Sequence, residues 1–441
     1  MSPATHRGAP YKTSRQEFAD RCNQSPESII TLKDSRLWLW ALAAAVLMQT
    51  ISAFLTRIFP VMGPVLTEAA SIPPEYIGYL AALSSLGTIW YLVAGGDLLA
   101  KLGPLRSLQL GALVGLLGLL LALAGTWWAL MLAAFLIGFG YGPSPTAGSE
   151  VLNQFSPTRH RSLVFSIKQA GVPLGGAIAG IFIPALLAFS SWRVACVASA
   201  LLVLAITVMV EPLRTAIDRD RDPRRKFRLS YLLDPSMLRA PFRALSSNRP
   251  LLLSTVASAC FAIVQGCVLA FFVTFLTVQI GIGLAAAGVA FSIMQVAGVA
   301  GRVIAGWTAD RAHSPRMVLI ALGVASSIVV ALMAAFSTSW PAWTIHTIAA
   351  VAGVAATGWN GVFMAEITQL APRGRIGEIT AAATFFTFCG YVVGPAAFGG
   401  FLSQGTSYAS AFAMLAVVPL CGVLALALAA ACDRPPASSG T

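Results

Sequence analysis

The chain has 441 residues, of which 57% are hydrophobic and only 10% charged, and its formal net charge is +12. Soluble domains average about 25% charged residues, so this composition excludes a water-soluble fold. The excess Lys and Arg sit in short stretches between apolar runs, where anionic lipid headgroups attract them; that placement argues against nucleic acid as a partner.

Residues 1–36 are polar, include acids and hold no short apolar stretch ending in a cleavage site. They read as a disordered tail without a signal peptide. Twelve apolar runs follow, each about 20 residues or longer, as a bilayer requires. They cover 37–59, 76–98, 106–126, 127–149, 164–188, 191–212, 250–280, 284–309, 315–337, 340–366, 379–403 and 406–432. The gaps after Phe59, Gly125, Ile280, Phe336 and Leu402 hold no Lys or Arg before the next run. Those at Lys101/Arg106, Arg159/Arg161, Arg311/Arg316 and Arg373/Arg375 each hold a pair. Cytoplasmic loops are enriched in Lys and Arg. The paired gaps, the N-terminal tail and Arg434 in the C-terminal tail (433–441) are therefore expected in the cytoplasm, as for a multi-pass protein of the inner or plasma membrane.

One long polar segment, within 213–249, divides the chain into halves of six runs, 37–212 and 250–432. It mixes Arg219, Arg221, Arg224, Arg225, Lys226 and Arg228 with Asp218, Asp220 and Asp222. It reads as a solvated basic linker, and the helical spacing of apolar residues in Tyr231–Leu245 predicts a helix lying on the membrane surface. The halves repeat. Gly171, Gly175 and Gly180 recur as Gly390, Gly394 and Gly399, each 219 residues later. Trp127/Trp128 match Trp340/Trp343, and Glu150 and Glu366 close the fourth and tenth runs. The fold expected is an all-α membrane protein of twelve transmembrane helices in two pseudo-symmetric six-helix bundles, with a site between the bundles near the midplane. The seven cysteines show no CxxC pair and no clustering with His, so they read as small apolar residues, not disulfides or metal ligands.

The loop after the eighth run reads Gly306-Trp-Thr-Ala-Asp310-Arg311, and the eleventh run reads Gly390-Tyr-Val-Val-Gly394-Pro395-Ala-Ala-Phe-Gly399-Gly400. With twelve spans and a central loop, these patterns resemble the major facilitator superfamily of secondary transporters, from Leu37 to Cys432. The resemblance implies alternating access, with Asp310-Arg311 and Gly306 latching the cytoplasmic side. The chain departs from the pattern at Ala100, where an Asp is expected before Lys101, and at Ala134–Gly138, where the fourth span has no Arg. Both departures argue against a drug–proton antiport mechanism.

A charge deep in a span is expensive and marks function by default. Arg302 lies eight residues before Asp310, about 12 Å deep along a helix. Gln295 shares its face, and Gly298 leaves space beside it. A guanidinium there grips a carboxylate through two parallel hydrogen bonds. The Gly301-Arg302 pattern is similar to the eighth span of the oxalate/formate and monocarboxylate branches, where the matching Arg binds the substrate carboxylate. Pairing with an acid on a neighbouring span, or snorkelling to the inner rim, is the competing reading. Arg57 is second; it either faces the cavity, with Gln49, Thr50 and Ala53 on its general face, or snorkels to the outer edge. Lys168 is third, with Glu150 as the expected rim partner. Tyr141, Gln265, Trp359 and Asn360 are neutral candidates for hydrogen bonds to a ligand, and His346 is read as packed.

The function expected is transport of a small organic anion, a carboxylate, with Arg302 and Arg57 as contacts supported by Gln295, Asn360, Gln265 and Tyr141. Gly171, Gly175, Gly390 and Gly394 are expected at the moving helices, with Glu150 and Glu366 at the inner rim. The partners expected are the substrate, membrane lipids and a coupling ion, around a monomer. No cofactor or metal motif is present, and no nucleophile–base pairing points to an enzyme. The competing functions are an exporter of hydrophobic drugs, which calls for an embedded acid absent from the spans, and a receptor or scaffold without flux.

Overall fold

The computed structural model describes residues 37–155, 161–222, 248–372 and 375–432, together with 224, 243, 245 and 246. The two tails and most of Tyr231–Leu245 lie outside the described residues. Twelve helices are long and apolar enough to cross a membrane. They are α1 (Leu37–Ala69), α2 (Pro74–Val93), α3 (Pro104–Ala124), α4 (Trp127–Phe155), α5 (Val164–Leu187) and α6 (Trp192–Ile217) in the first half. The second half holds α7 (Arg249–Gln279), α8 (Leu284–Ala312), α9 (Pro315–Ala334), α10 (Ala342–Leu370), α11 (Ile376–Ser403) and α12 (Tyr408–Cys432). No strand occurs among the described residues.

Local chemistry sets many of the helix ends. Thr126, Ser191, Asn248, Ser314 and Ser407 each accept a hydrogen bond from a backbone N–H in the first turn that follows, which satisfies a donor the helix itself cannot. Pro104, Pro250 and Pro315 stand in the first turn, where no N–H is needed. The first helix corrects the expected boundary. It runs through Pro60 and Pro64 to Ala69 instead of ending near Phe59. A membrane helix tolerates interior prolines because its neighbours support the freed backbone groups.

Each half packs α1 on α5 or α7 on α11, and the halves meet through α5/α8, α2/α11 and α1/α7. The glycine repeat divides between these two kinds of seam. A Cβ on Gly171 would lie 3.1 Å from Thr50 Oγ1, and one on Gly394 would lie 2.7 Å from Ile263 O. The first two glycines of each triplet therefore seat helices inside a half. The third glycine of each triplet lies instead between the halves. A Cβ on Gly180 would lie 2.7 Å from Gly288 O across α5/α8, and one on Gly399 would lie 2.8 Å from Glu75 O across α2/α11. Both contacts are in the half of the protein away from the basic loops, which they hold together; Ser292 Oγ donating to Ala177 O at 2.8 Å reinforces the α5/α8 seam.

The basic end is ordered by acids from several helices. Arg316 Nε donates to Glu366 Oε1 at 2.7 Å, with only 14% and 4% of the two side chains exposed. Its repeat mate behaves differently. Glu150 is exposed and accepts from Gln154 at 3.2 Å. Arg106 instead meets Glu211 of α6 at 3.2 Å, and Glu211 also takes Arg214 and Gln109. Helix α6 continues to Ile217, beyond the expected start of the linker, and Asp218 then caps α3 by accepting from the N–H groups of Leu105 and Arg106 at 2.8 and 3.0 Å. Gly103 makes room for it: its φ is +90°, and an added Cβ would sit 2.5 Å from Asp218 Cγ. Burial pushes the Asp218 carboxyl up, against the two amides and the nearby Arg214 and Arg221. Asp218 thus supplies, from another helix, a carboxylate at the loop where the sequence has Ala100.

The opposite end holds one basic residue near a span terminus among the described residues, Arg193, whose guanidinium lies 4.5 Å from the ring centroid of Trp192.

Candidate functional site

Arg57 and Arg302 reach the interior from opposite halves, on α1 and α8. Arg57 is twelve residues from the end of α1 and Arg302 ten from the end of α8, or about 18 and 15 Å along their helices. Both are half-buried. Each lies within electrostatic reach of Tyr141 on α4 and Tyr391 on α11, and the two guanidiniums act on each other. Four helices and both halves therefore converge on one region.

The partners of the two cations decide between the competing readings. Arg302 Nε donates to Thr357 O at 3.2 Å, and its Nη1 donates to Gln169 O at 3.0 Å. Both acceptors are backbone carbonyls, and the second lies across the boundary between halves. The acid partner considered for Arg302 is not found among the described residues. Arg57 Nε is buried with no hydrogen-bond partner, and no ion pair to Arg57 occurs among the described residues. Helix α1 continues well past Arg57, so this side chain sits inside the bundle and does not snorkel to the outer edge.

A neutral polar shell surrounds the cations. Gln265 Oε1 accepts from Tyr391 OH at 2.8 Å and from Asn360 Nδ2 at 3.1 Å, and the Asn360 amide also reaches Thr357 O at 3.2 Å. Among the described residues, Gln265 Nε2 and Asn360 Oδ1 make no hydrogen bond, so a donor and an acceptor remain for a ligand. In the other half Gln49 Nε2 lies 3.4 Å from Tyr141 OH. Gln49 and Gln265 are repeat mates on α1 and α7, each holding a tyrosine hydroxyl. Sequence reasoning selected Gln265, Asn360 and Tyr141 but missed Tyr391. The available signal was its place between Gly390 and Gly394, where α11 approaches α7 closely enough for Tyr391 to reach Gln265.

Other candidates fall elsewhere. Gln295 is 2% exposed and presses against Gly176, filling the α5/α8 seam instead of facing open space. Trp359 is core, packed edge-on to Phe261 and Phe363. Lys168 is 1% exposed, with Nζ at 3.3 Å from Ser149 Oγ and 3.5 Å from Pro145 O. Glu150 is not its hydrogen-bond partner; Lys168 lies between α4 and α5, not at the rim. His346 is half-buried. At the rim Asp310 is exposed with no ion pair among the described residues, and Arg311 rests over Trp307 at 5.5 Å. Gly306 has open space where a Cβ would go. The Asp310-Arg311 latch expected there is thus not engaged in this conformation. No group of His, Cys, Asp and Glu able to hold a metal occurs among the described residues.

Comparison with known proteins follows the same lines. The family model described as Major Facilitator Superfamily matches residues 42–395. An uncharacterized MFS-type transporter of Mycobacterium tuberculosis is 26% identical over 386 residues, covering 87% of this chain and 84% of the relative. The hexuronate transporter of Bacillus subtilis is 21% identical over 374 residues, covering 80% and 85%. Among solved structures, the nucleoside transporter NupG superposes with a TM-score of 0.68 at 14% identity, covering 89% of this chain and 99% of that one.

Proposed function

The chain belongs to the major facilitator superfamily, and we propose that it moves a small organic carboxylate across the membrane by alternating access. The observation that carries this reading is the pair of interior guanidiniums, Arg57 and Arg302, one from each half, with no carboxylate paired to either among the described residues. A ligand carboxylate in that region supplies acceptors for free N–H groups of these guanidiniums, and hydrogen bonds to charged groups contribute about 1.5–3 kcal/mol each. The free amide edge of Gln265, the Asn360 carbonyl and the Tyr391 hydroxyl suit a substrate that also carries hydroxyls. The hexuronate specificity of the Bacillus subtilis relative supports that chemistry, as does the likeness of Gly301-Arg302 to the oxalate/formate and monocarboxylate branches.

In this reading the basic loops lie in the cytoplasm of a cell whose plasma membrane the protein spans. The seams at Gly180/Gly288 and Gly399/Gly78 close the opposite side, and Asp310-Arg311 with the Glu150 and Glu366 rims forms the cytoplasmic gate when that side shuts. Export of hydrophobic cations is disfavoured, because every Asp and Glu of the sequence lies outside the spans or within about two turns of a helix end.

The test is binding and vesicle uptake of glucuronate, succinate, lactate and benzoate. Arg302→Ala removes two charge-assisted bonds and is expected to weaken binding about 100-fold. Arg302→Lys keeps the charge but not the fork, with an expected loss of about tenfold. Unchanged affinity in both variants would rule out Arg302 as the anion contact.

A further inference from the structure

Taking the anion reading above as its basis, we propose that the protein is an obligate exchanger: it changes access readily with an anion bound and only slowly when empty. Among the described residues, the interior region holds these two guanidiniums and no carboxylate paired to them. Arg57 has no hydrogen-bond partner among the described residues, and Arg302 has only the carbonyls of Thr357 and Gln169. The other titratable groups near them are the phenols of Tyr141 and Tyr391, which supply no negative charge. Lys168 adds a third basic group to the interior, but it is enclosed between α4 and α5.

This inventory matters at the moment of switching. In alternating access, between a conformation open at one end and one open at the other, the interior passes through a state closed at both ends. Water leaves, and unneutralised cations become costly in a low-dielectric space. Arg57 would then have neither solvent nor a counter-charge, and the two guanidiniums would repel each other. A bound carboxylate removes both penalties. The bond from Arg302 Nη1 to Gln169 O acts in the same direction, since it ties α8 to α5 across the halves. A substrate oxygen competing for that N–H loosens the tie. Loaded protein can therefore cross the closed state in both directions, whereas empty protein is held back.

The experiment uses the purified full chain in lipid vesicles with labelled glucuronate, succinate, lactate and benzoate. Uptake into vesicles preloaded with the same unlabelled anion is expected to run about tenfold or more faster than uptake into anion-free vesicles, as the cost of an unpaired interior charge requires. Arg57→Gln removes one cation and should bring that ratio toward one. Equal rates in the wild-type protein would overturn the proposal, as would a proton gradient that raises net uptake to the exchange rate. A ratio unchanged in Arg57→Gln would overturn its assignment to this pair. Thermal-shift binding on the same preparations separates the two levels: no binding of any of the four anions removes the carboxylate reading and the exchange mode with it, while binding with equal rates overturns exchange alone.

Discussion

Replacing Arg316 by Met tests whether the basic end of the second half is held by a buried ion pair. Glu366 has 4% of its side chain exposed and accepts from Arg316 Nε at 2.7 Å. Arg316→Met keeps an unbranched stem in place but strands a carboxylate away from water. Breaking a buried pair from one side typically costs about 3–5 kcal/mol. Because 14% of the Arg316 side chain is exposed, some water relieves the stranded charge, and a loss of about 3 kcal/mol is expected. The double variant Arg316→Met/Glu366→Leu exchanges the pair for apolar contact and should recover most of that loss, since a packed apolar pair is often as stable as a buried ionic one. The exposed repeat mate supplies the control: Glu150→Gln should change stability by less than about 0.5 kcal/mol. Denaturant unfolding of the detergent-purified protein reads all three. A single variant within about 1 kcal/mol of wild type, or a double variant as unstable as the single, would refute the reasoning.

Asp218→Ala should cost about 1–2 kcal/mol, because the N–H groups of Leu105 and Arg106 lose their acceptor at the start of α3; the same unfolding assay measures it, with Asp218→Asn expected to lose less. Gly180→Val and Gly399→Val place a Cβ within 2.7 and 2.8 Å of opposing carbonyls, so the seam away from the basic loops must part. Thiol labelling of Ser292→Cys, in a background without the native cysteines, should accelerate about tenfold in both, the equivalent of about 1.4 kcal/mol lost from the closed seam. Tyr391→Phe removes one of two donors to Gln265 Oε1 and should weaken carboxylate binding about three- to tenfold without unfolding the protein, as loss of a neutral hydrogen bond implies; a binding isotherm decides it.

The features legible in the sequence share a physical origin. Spans, the repeat of halves and the two deep arginines all show as departures in hydropathy or spacing along one chain, and each needs only its own neighbours to be seen. What stayed hidden depends on which helix comes to lie opposite. Glu150 and Glu366 look alike at the ends of equivalent spans, yet among the described residues only Glu366 meets an arginine, because Arg106 turns to Glu211 on α6 while Arg316 turns to α10. The first run, 37–59, stops short of Pro60, and proline usually ends a helix in water; in α1 the surrounding bundle carries the helix nine residues beyond Pro60. Tyr391 was obscured by the glycines on either side of it, and its partner Gln265 is 126 residues away.

The two halves match where they touch, and their interior arginines do not match. Gly180 and Gly399 are 219 residues apart, and the segments they meet, at Gly288 and Gly78, are also repeat mates, 210 apart. One seam is therefore the counterpart of the other, as required if two bundles rock about a shared axis without either seam opening first. The cations have no such counterpart. Val273 occupies the position 216 residues after Arg57, the offset that relates Gln49 to Gln265, and Leu92 lies 210 before Arg302. A small carboxylate has two ends that differ, and an interior built from matching halves would offer both ends the same contacts. Placing one guanidinium on the first helix of one half and the other on the second helix of its partner breaks that equivalence at the proposed site. A carboxylate substrate, in the proposed reading, can then be held in one orientation, while the surfaces between the halves keep matched glycines at Gly180/Gly288 and Gly399/Gly78.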